Sequence, residues 1–240
     1  MFGKTLKELN TKSSVKKIKR KNFSYENIAS ENEFSYFRLN LKSNCIYLIN
    51  ENSFYFFLNK GNLLINNKKI FDQDKNLIFS KKKMSFKTLF NSEVYIFFFK
   101  KKTKVNINHT RDNIFSKINK SKIRFKNKYW GTIYDLLQNK LGAIKIIEMR
   151  KDTQSSMEFH INKKENYFIE YGEMNLGIRY SRGLNGLIKL KKDNSFLMKP
   201  GTMHMRMAKK NCRIIEMSNR DMDSDSIIVH DGKKYKFRVS

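Results

Sequence analysis

The chain has 240 residues, room for one large domain or two small ones with a hydrophobic core that needs no staples. Its 40% hydrophobic and 13% aromatic content is too apolar for a disordered chain, despite 30% charged residues and a formal net charge of +28. One proline and three alanines (Ala29, Ala143, Ala208) exclude collagen-like, low-complexity and Ala-rich coiled-coil chains, and two cysteines, Cys45 and Cys212, exclude a disulfide framework or a Cys-rich metal site.

The positive charge by itself names no partner. Lys, Asn, Ile and Phe are abundant and Ala, Gly, Pro and Trp scarce, the signature of AT-rich coding whatever the function. The basic excess is spread over both halves, with a denser patch at Lys12–Lys21. No helix-turn-helix, zinc-finger or RNP-type pattern accompanies it, so nucleic acid is not the expected partner and a basic nucleic-acid-associated protein stays only as a distant alternative. The longest apolar run, Val94–Phe99, is far short of the roughly 20 residues of a membrane helix. A soluble, cytoplasmic protein is expected.

Along the chain, residues 1–30 are polar and basic and read as an arm. From Tyr36 onward come short runs rich in Phe, Tyr, Ile and Leu: Cys45–Ile49, Ser53–Leu58, Leu63–Ile65, Leu77–Phe79, Phe86–Phe90 and Val94–Phe99, separated by Asn, Gly, Asp and Lys clusters. Many short strands without long amphipathic segments predict a sandwich or small barrel over residues 31–105. A polar stretch follows and reads as a linker over 106–127. Residues 128–240 repeat the strand grammar in Ala143–Met149, Tyr167–Tyr171, Leu187–Leu190 and Cys212–Met217. Aromatic residues leading to Gly61 and then Asn62-Leu63-Leu64-Ile65 match those leading to Gly172 and then Glu173-Met174-Asn175-Leu176, which predicts a duplicated β-barrel unit.

Two of the four histidines sit in informative surroundings. In Met157-Glu158-Phe159-His160, a strand places Glu158 and His160 on one face, and Glu165 returns to that face after a turn. In Pro200-Gly201-Thr202-Met203-His204-Met205-Arg206, a Pro-Gly turn launches a strand with His204 and Arg206 on one face. Two imidazoles and two carboxylates converging inside a barrel suit a first-row divalent metal, Zn, Fe, Mn or Ni, which oxygen and nitrogen donors do not distinguish.

At these residues the sequence resembles the cupin superfamily. His160, Glu165 and Gly172 fall in the register of the first cupin motif, with Glu158 in place of its first His; Gly201 and His204 answer the second, with Lys199 where a Pro is usual and Ala208 where an Asn is common. Within the superfamily, residues 128–240 resemble the C-terminal domain of type II mannose-6-phosphate isomerases and related cupins of nucleotide-sugar and surface-polysaccharide pathways. Trp130-Gly131, the lysine-bearing strand Lys145-Ile146-Ile147, Glu216 and the acidic turn Asp221–Asp225 carry that likeness.

The resemblance implies an all-β fold of two double-stranded β-helix (cupin, jelly-roll) barrels, the first lacking the usual His ligands and serving to shape, dimerise or cover the second. It implies a metal held by Glu158, His160, Glu165 and His204. The expected function is that of a metal-dependent cupin acting on a sugar or sugar phosphate, with aldose–ketose isomerisation favoured. Glu158 is then ligand or catalytic base, and Arg206 and Lys145 contact the substrate phosphate. The alternative is a non-catalytic cupin that binds a sugar or small acid.

Overall fold

The computed structural model describes residues 12–71, 77–111, 114, 117–121 and 123–239. Twenty-four strands and one 3-10 turn account for its regular structure: β1 Lys12–Ser14, β2 Lys17–Lys19, β3 Phe23–Ser30, β4 Ser35–Leu41, β5 Ile46–Ile49, β6 Phe54–Lys60, β7 Asn62–Ile65, β8 Lys68–Phe71, β9 Leu77–Ser80, β10 Met84–Thr88, β11 Ser92–Phe98, β12 Ile107–Thr110, β13 Ile118–Ser121, β14 Arg124–Lys128, β15 Gly131–Asn139, β16 Gly142–Met149, β17 Met157–His160, β18 Glu165–Tyr171, β19 Glu173–Tyr180, β20 Gly186–Lys191, β21 Asn194–Met198, β22 Thr202–Ala208, β23 Cys212–Ser218 and β24 Ser226–His230. Among the described residues no helix is long and apolar enough to cross a membrane.

The described residues divide into two compact units, 15–123 and 12–14 with 124–239. The first unit pairs a seven-stranded sheet, β13-β9-β6-β11-β4-β3-β2, with a five-stranded one, β12-β5-β10-β7-β8. The second repeats this with β1-β21-β18-β23-β16-β15-β14 and β20-β19-β22-β17-β24. Every strand of one unit has its counterpart twelve strands on, save at one edge. There β1, from the start of the chain, takes the place in the second unit that β13 takes in the first, pairing antiparallel with β21 as β13 pairs with β9. Both units are antiparallel jelly rolls, as the cupin resemblance implies, where the strand-and-turn pattern by itself predicts a sandwich or small barrel.

The duplication extends to single residues. Gly61 and Gly172 join equivalent strands, with φ of +93° and +85° that only glycine adopts without strain. In each unit the ladder slips just before that glycine, where the register skips Asn59 and Glu170 as bulge residues.

Two expectations about organisation differ from the structure. Residues 17–30 are not an arm: β2 and β3 extend the first seven-stranded sheet, because alternation in Phe23–Ser30 buries Ser24, Glu26 and Ile28. The stretch 106–127 holds β12 and β13 of the first unit and the start of β14 of the second, with the division at 123–124. Asn and Lys between single apolar residues gave these short edge strands the composition of a linker.

A candidate metal centre in the second barrel

In the second unit the strands β17, β18, β22 and β23 turn one face toward a cavity of about 600 Å³. Period-two alternation sets its lining. Glu158 in β17 stands opposite His204 in β22, and His160 and Arg206 follow two residues along their strands. Glu165 opens β18, with Tyr167 on the same face and Glu216 of β23 opposite Tyr167. The turn before β22 couples the two motifs: Gly201, at φ +76°, donates its N–H to the carbonyl of His160 at 2.7 Å.

Four donor groups converge. Glu158, His160 and His204 each bring a donor atom within 4.8 Å of the others. The Nε2 of His204 lies 3.8 Å from Glu158 Oε1 and 3.2 Å from Glu165 Oε1, and the Nε2 of His160 lies 3.6 Å from Glu165 Oε1. Ligand bonds of about 2.0–2.3 Å at tetrahedral to octahedral angles place neighbouring donors about 3–4 Å apart, a spacing that the three histidine–carboxylate pairs match; Glu158, His160 and His204 form a group able to hold one first-row ion, with Glu165 beside them. His204 is oriented for the task. Its Nδ1–H donates to the carbonyl of Thr202 at 3.0 Å, while the buried Nε2 makes no hydrogen bond; in the neutral ring that nitrogen carries the lone pair a metal takes.

The charges around these groups are strongly coupled. Burial raises the Glu165 carboxyl, but Lys163 and then His160 outweigh it and hold the group well below the usual range. Burial likewise opposes ionisation of Glu158, and Arg206 followed by His204 brings it below its ordinary value. His160 is pushed down by burial and up more strongly by Glu165, ending above its ordinary value. Glu165 shares its oxygens between Tyr167, whose hydroxyl donates to Oε1 at 2.9 Å, and Lys163, whose Nζ is 2.6 Å from Oε2.

Arg206 is buried and faces the cavity. Its guanidinium bonds Glu158 Oε1 at 3.0 Å and lies over the rings of Trp130 and Tyr167, 5.4 and 5.6 Å from their centroids. Lys145 is in the same cavity, but its Nζ is engaged by Asp221 Oδ1 at 2.6 Å and approaches Glu216 to 4.0 Å.

Sequence reading missed Lys163, Glu216 and Asp221 as one network, and Trp130 as the platform for Arg206. Lys163 lies in the turn between two motif positions, and in a chain with 50 basic residues nothing marks it as buried. The available signal for Glu216 was its place as the one carboxylate among the apolar residues Ile214, Ile215 and Met217 of that strand.

Among the described residues the first barrel has no such centre. Tyr47 pairs with Phe86 across β5 and β10 as Glu158 pairs with His204 across β17 and β22. Tyr47, Ile49, Phe54, Phe56 and Phe86 belong to the continuous apolar core of that unit. Aromatic side chains fill the volume that the second barrel leaves open.

No protein-family model matches the sequence, and no significant match is found among curated proteins. Solved structures are similar. Lactobacillus farciminis oxalate decarboxylase in complex with formate aligns with a TM-score of 0.69 and 10% identity, covering 95% of this chain and 90% of that one. A variant of Bacillus subtilis oxalate decarboxylase gives 0.72 and 10% over 95% and 81%. A structure used to assign the Mn(II) centres of the Bacillus enzyme gives 0.71 and 10% over the same shares. These three structures are oxalate decarboxylases and lend no support to the likeness to mannose-6-phosphate isomerases that the motif flanks carry. At this identity the likeness defines the fold alone, and that fold is the bicupin: two cupin barrels in one chain, with a candidate metal centre in the second.

Proposed function

We propose that the second barrel binds one divalent first-row metal through Glu158, His160, Glu165 and His204 and acts on a small, oxygen-rich anion. The observation that carries this reading is the convergence of Glu158, His160 and His204 in one cavity, with His204 Nε2 buried and aimed at the other donors. The manganese centres of the similar oxalate decarboxylase agree with it. When bound, the ion supplies Lewis-acid polarisation of substrate oxygens.

The protein's own groups do the rest. Arg206, pinned by Trp130 and Tyr167, presents a fixed planar cation to a carboxylate or phosphate. Its present partner is Glu158. A substrate anion that draws the guanidinium away therefore releases Glu158 Oε1, and anion binding and the state of Glu158 are coupled. While the pair is intact, Arg206 keeps Glu158 ionised and weakly basic, which suits a ligand better than the base that sugar isomerisation asks of it.

Two measurements test this. Elemental analysis of protein purified without chelators should find one metal per chain, absent from the His160→Ala, His204→Ala double variant. A thermal-shift screen with added Mn(II) then compares small carboxylates, oxalate included, with aldose and ketose phosphates, followed by turnover assays on whatever stabilises. Metal-free wild type, or unchanged metal in the double variant, overturns the reading.

A further inference from the structure

Lys163 is a buried cation of the cavity with no role in the reading above. It is 5% exposed, in the turn between β17 and β18, and its Nζ lies 2.6 Å from Glu165 Oε2, 2.8 Å from Glu216 Oε1 and 3.6 Å from Asp221 Oδ1. Three carboxylates from three segments thus converge on one ammonium group. The turn is itself fastened: Asp225, also buried, accepts the backbone N–H of Asn162 at 2.9 Å and of Lys163 at 2.8 Å. Such anchoring holds the ammonium at a fixed point, unlike a long side chain that has drifted into a pocket.

Beyond the outer Lys126, Lys128, Lys233, Asp223 and Asp231 of the lining, the ion-paired network inside the cavity has four carboxylates, Glu158, Glu165, Glu216 and Asp221, against three side-chain cations, Lys145, Lys163 and Arg206. With neutral imidazoles this network is one negative charge in excess, and one divalent ion turns this into one positive. Without Lys163 the excess is two, and Glu165, Glu216 and Asp221 face one another with only Lys145 between them. Buried carboxylates at such distances do not stay ionised together without a cation. Oxygen donors of this number are those that hard divalent ions select.

We propose that Lys163 is a resident cation that occupies a second ion subsite, formed by Glu165, Glu216 and Asp221, beside the Glu158–His160–His204 centre. It thereby keeps the cavity mononuclear and leaves Glu165 only Oε1 to offer the metal. The inference deepens the metal reading and rests on it. Lys163 is a positioning residue: it acts through Glu165 and the charge balance.

The test is metal stoichiometry and the Mn(II) electron paramagnetic resonance spectrum of the full chain, stripped and reloaded. Wild type should take one ion and give an isolated Mn(II) spectrum. Lys163→Met, of similar length without charge, should take a second ion with spin coupling between the two, and Lys163→Arg should return to one. Lys163→Gln keeps a donor for the same oxygens and replaces the Met variant if that one does not fold; it too should take a second ion. Simple destabilisation would not raise stoichiometry. One ion in wild type and one in the neutral variants overturns the proposal alone. No ion in wild type overturns it together with the metal reading.

Discussion

Glu158 faces His204 across the β17–β22 ladder as Tyr47 faces Phe86 across β5–β10, so one backbone pairing carries a polar centre in one barrel and an aromatic plug in the other. The two sites should respond oppositely to truncation. Phe86→Ala opens a cavity in a fully buried core and should cost about 3–5 kcal/mol in denaturant unfolding, with bound metal unchanged. His204→Ala should reduce metal affinity by about 100-fold or more, measured by competition with a chelator, because it removes a ligand held in place by Thr202.

Stability and metal affinity should depend on pH in opposite ways near neutrality. In metal-free protein His160 has a pKa above its unfolded value, so its charged form contributes stability that is fully present below the unfolded pKa and is lost as pH rises through the folded one. Glu165 has the reverse sign: its contribution is present above the unfolded carboxyl pKa and fades as pH falls through the depressed folded value. The metal needs His160 neutral. Its affinity should therefore rise with pH across the same range in which the imidazolium contribution disappears. Thermal unfolding with and without Mn(II), from pH 5.5 to 8.5, should show a metal-induced rise in Tm that widens with pH; a constant rise would contradict His160 as a ligand.

The paired glycines give a test of the duplication. A Cβ at Gly172 would come within 2.2 Å of the Asn211 carbonyl oxygen, and one at Gly61 within 2.8 Å of the Asn91 carbonyl oxygen and 2.4 Å of Ser92 Oγ. Both also hold positive φ. Gly61→Ala and Gly172→Ala should each destabilise by more than about 1 kcal/mol in urea unfolding, Gly172→Ala the more, since its closest contact is backbone, which moves less readily than a hydroxyl.

Where the sequence could be read, it was through period. Alternating Phe, Tyr, Ile and Leu with Gly at turns foretold antiparallel strands from Tyr36 onward, and the spacing of Glu158, His160, Glu165 and His204 foretold side chains that meet. What stayed hidden depends on distance in the chain. β1 is three residues long and pairs with β21, about three quarters of the sequence away, so no local pattern announces it. Lys163 gains meaning only once β23 and the Asp221 loop bring Glu216 and Asp221 to it. The family resemblance implies a substrate contact at Lys145, and Asp221, too remote in sequence to be seen as its partner, holds it at 2.6 Å.

Arg206 and Glu158 separate a positioning pair from a catalytic base. Arg206→Ala leaves Glu158 ionised without its guanidinium and strips the stack on Trp130 and Tyr167, and removal of one member of such a buried pair costs about 3 kcal/mol. Arg206→Lys keeps the charge but neither the planar stack nor the fork, so it should recover only part of that loss and little of the affinity for anions. Glu158→Gln keeps the shape and an acceptor oxygen while removing the charge that Arg206 pairs with. If Glu158 is a ligand, this change should weaken metal binding by about 10-fold or more, and added metal should restore turnover. A base role predicts a different outcome, normal metal content with turnover lowered by about 100-fold at every metal concentration. Turnover measured against metal concentration for wild type and Glu158→Gln decides between them, and the ion pair with Arg206 favours the ligand.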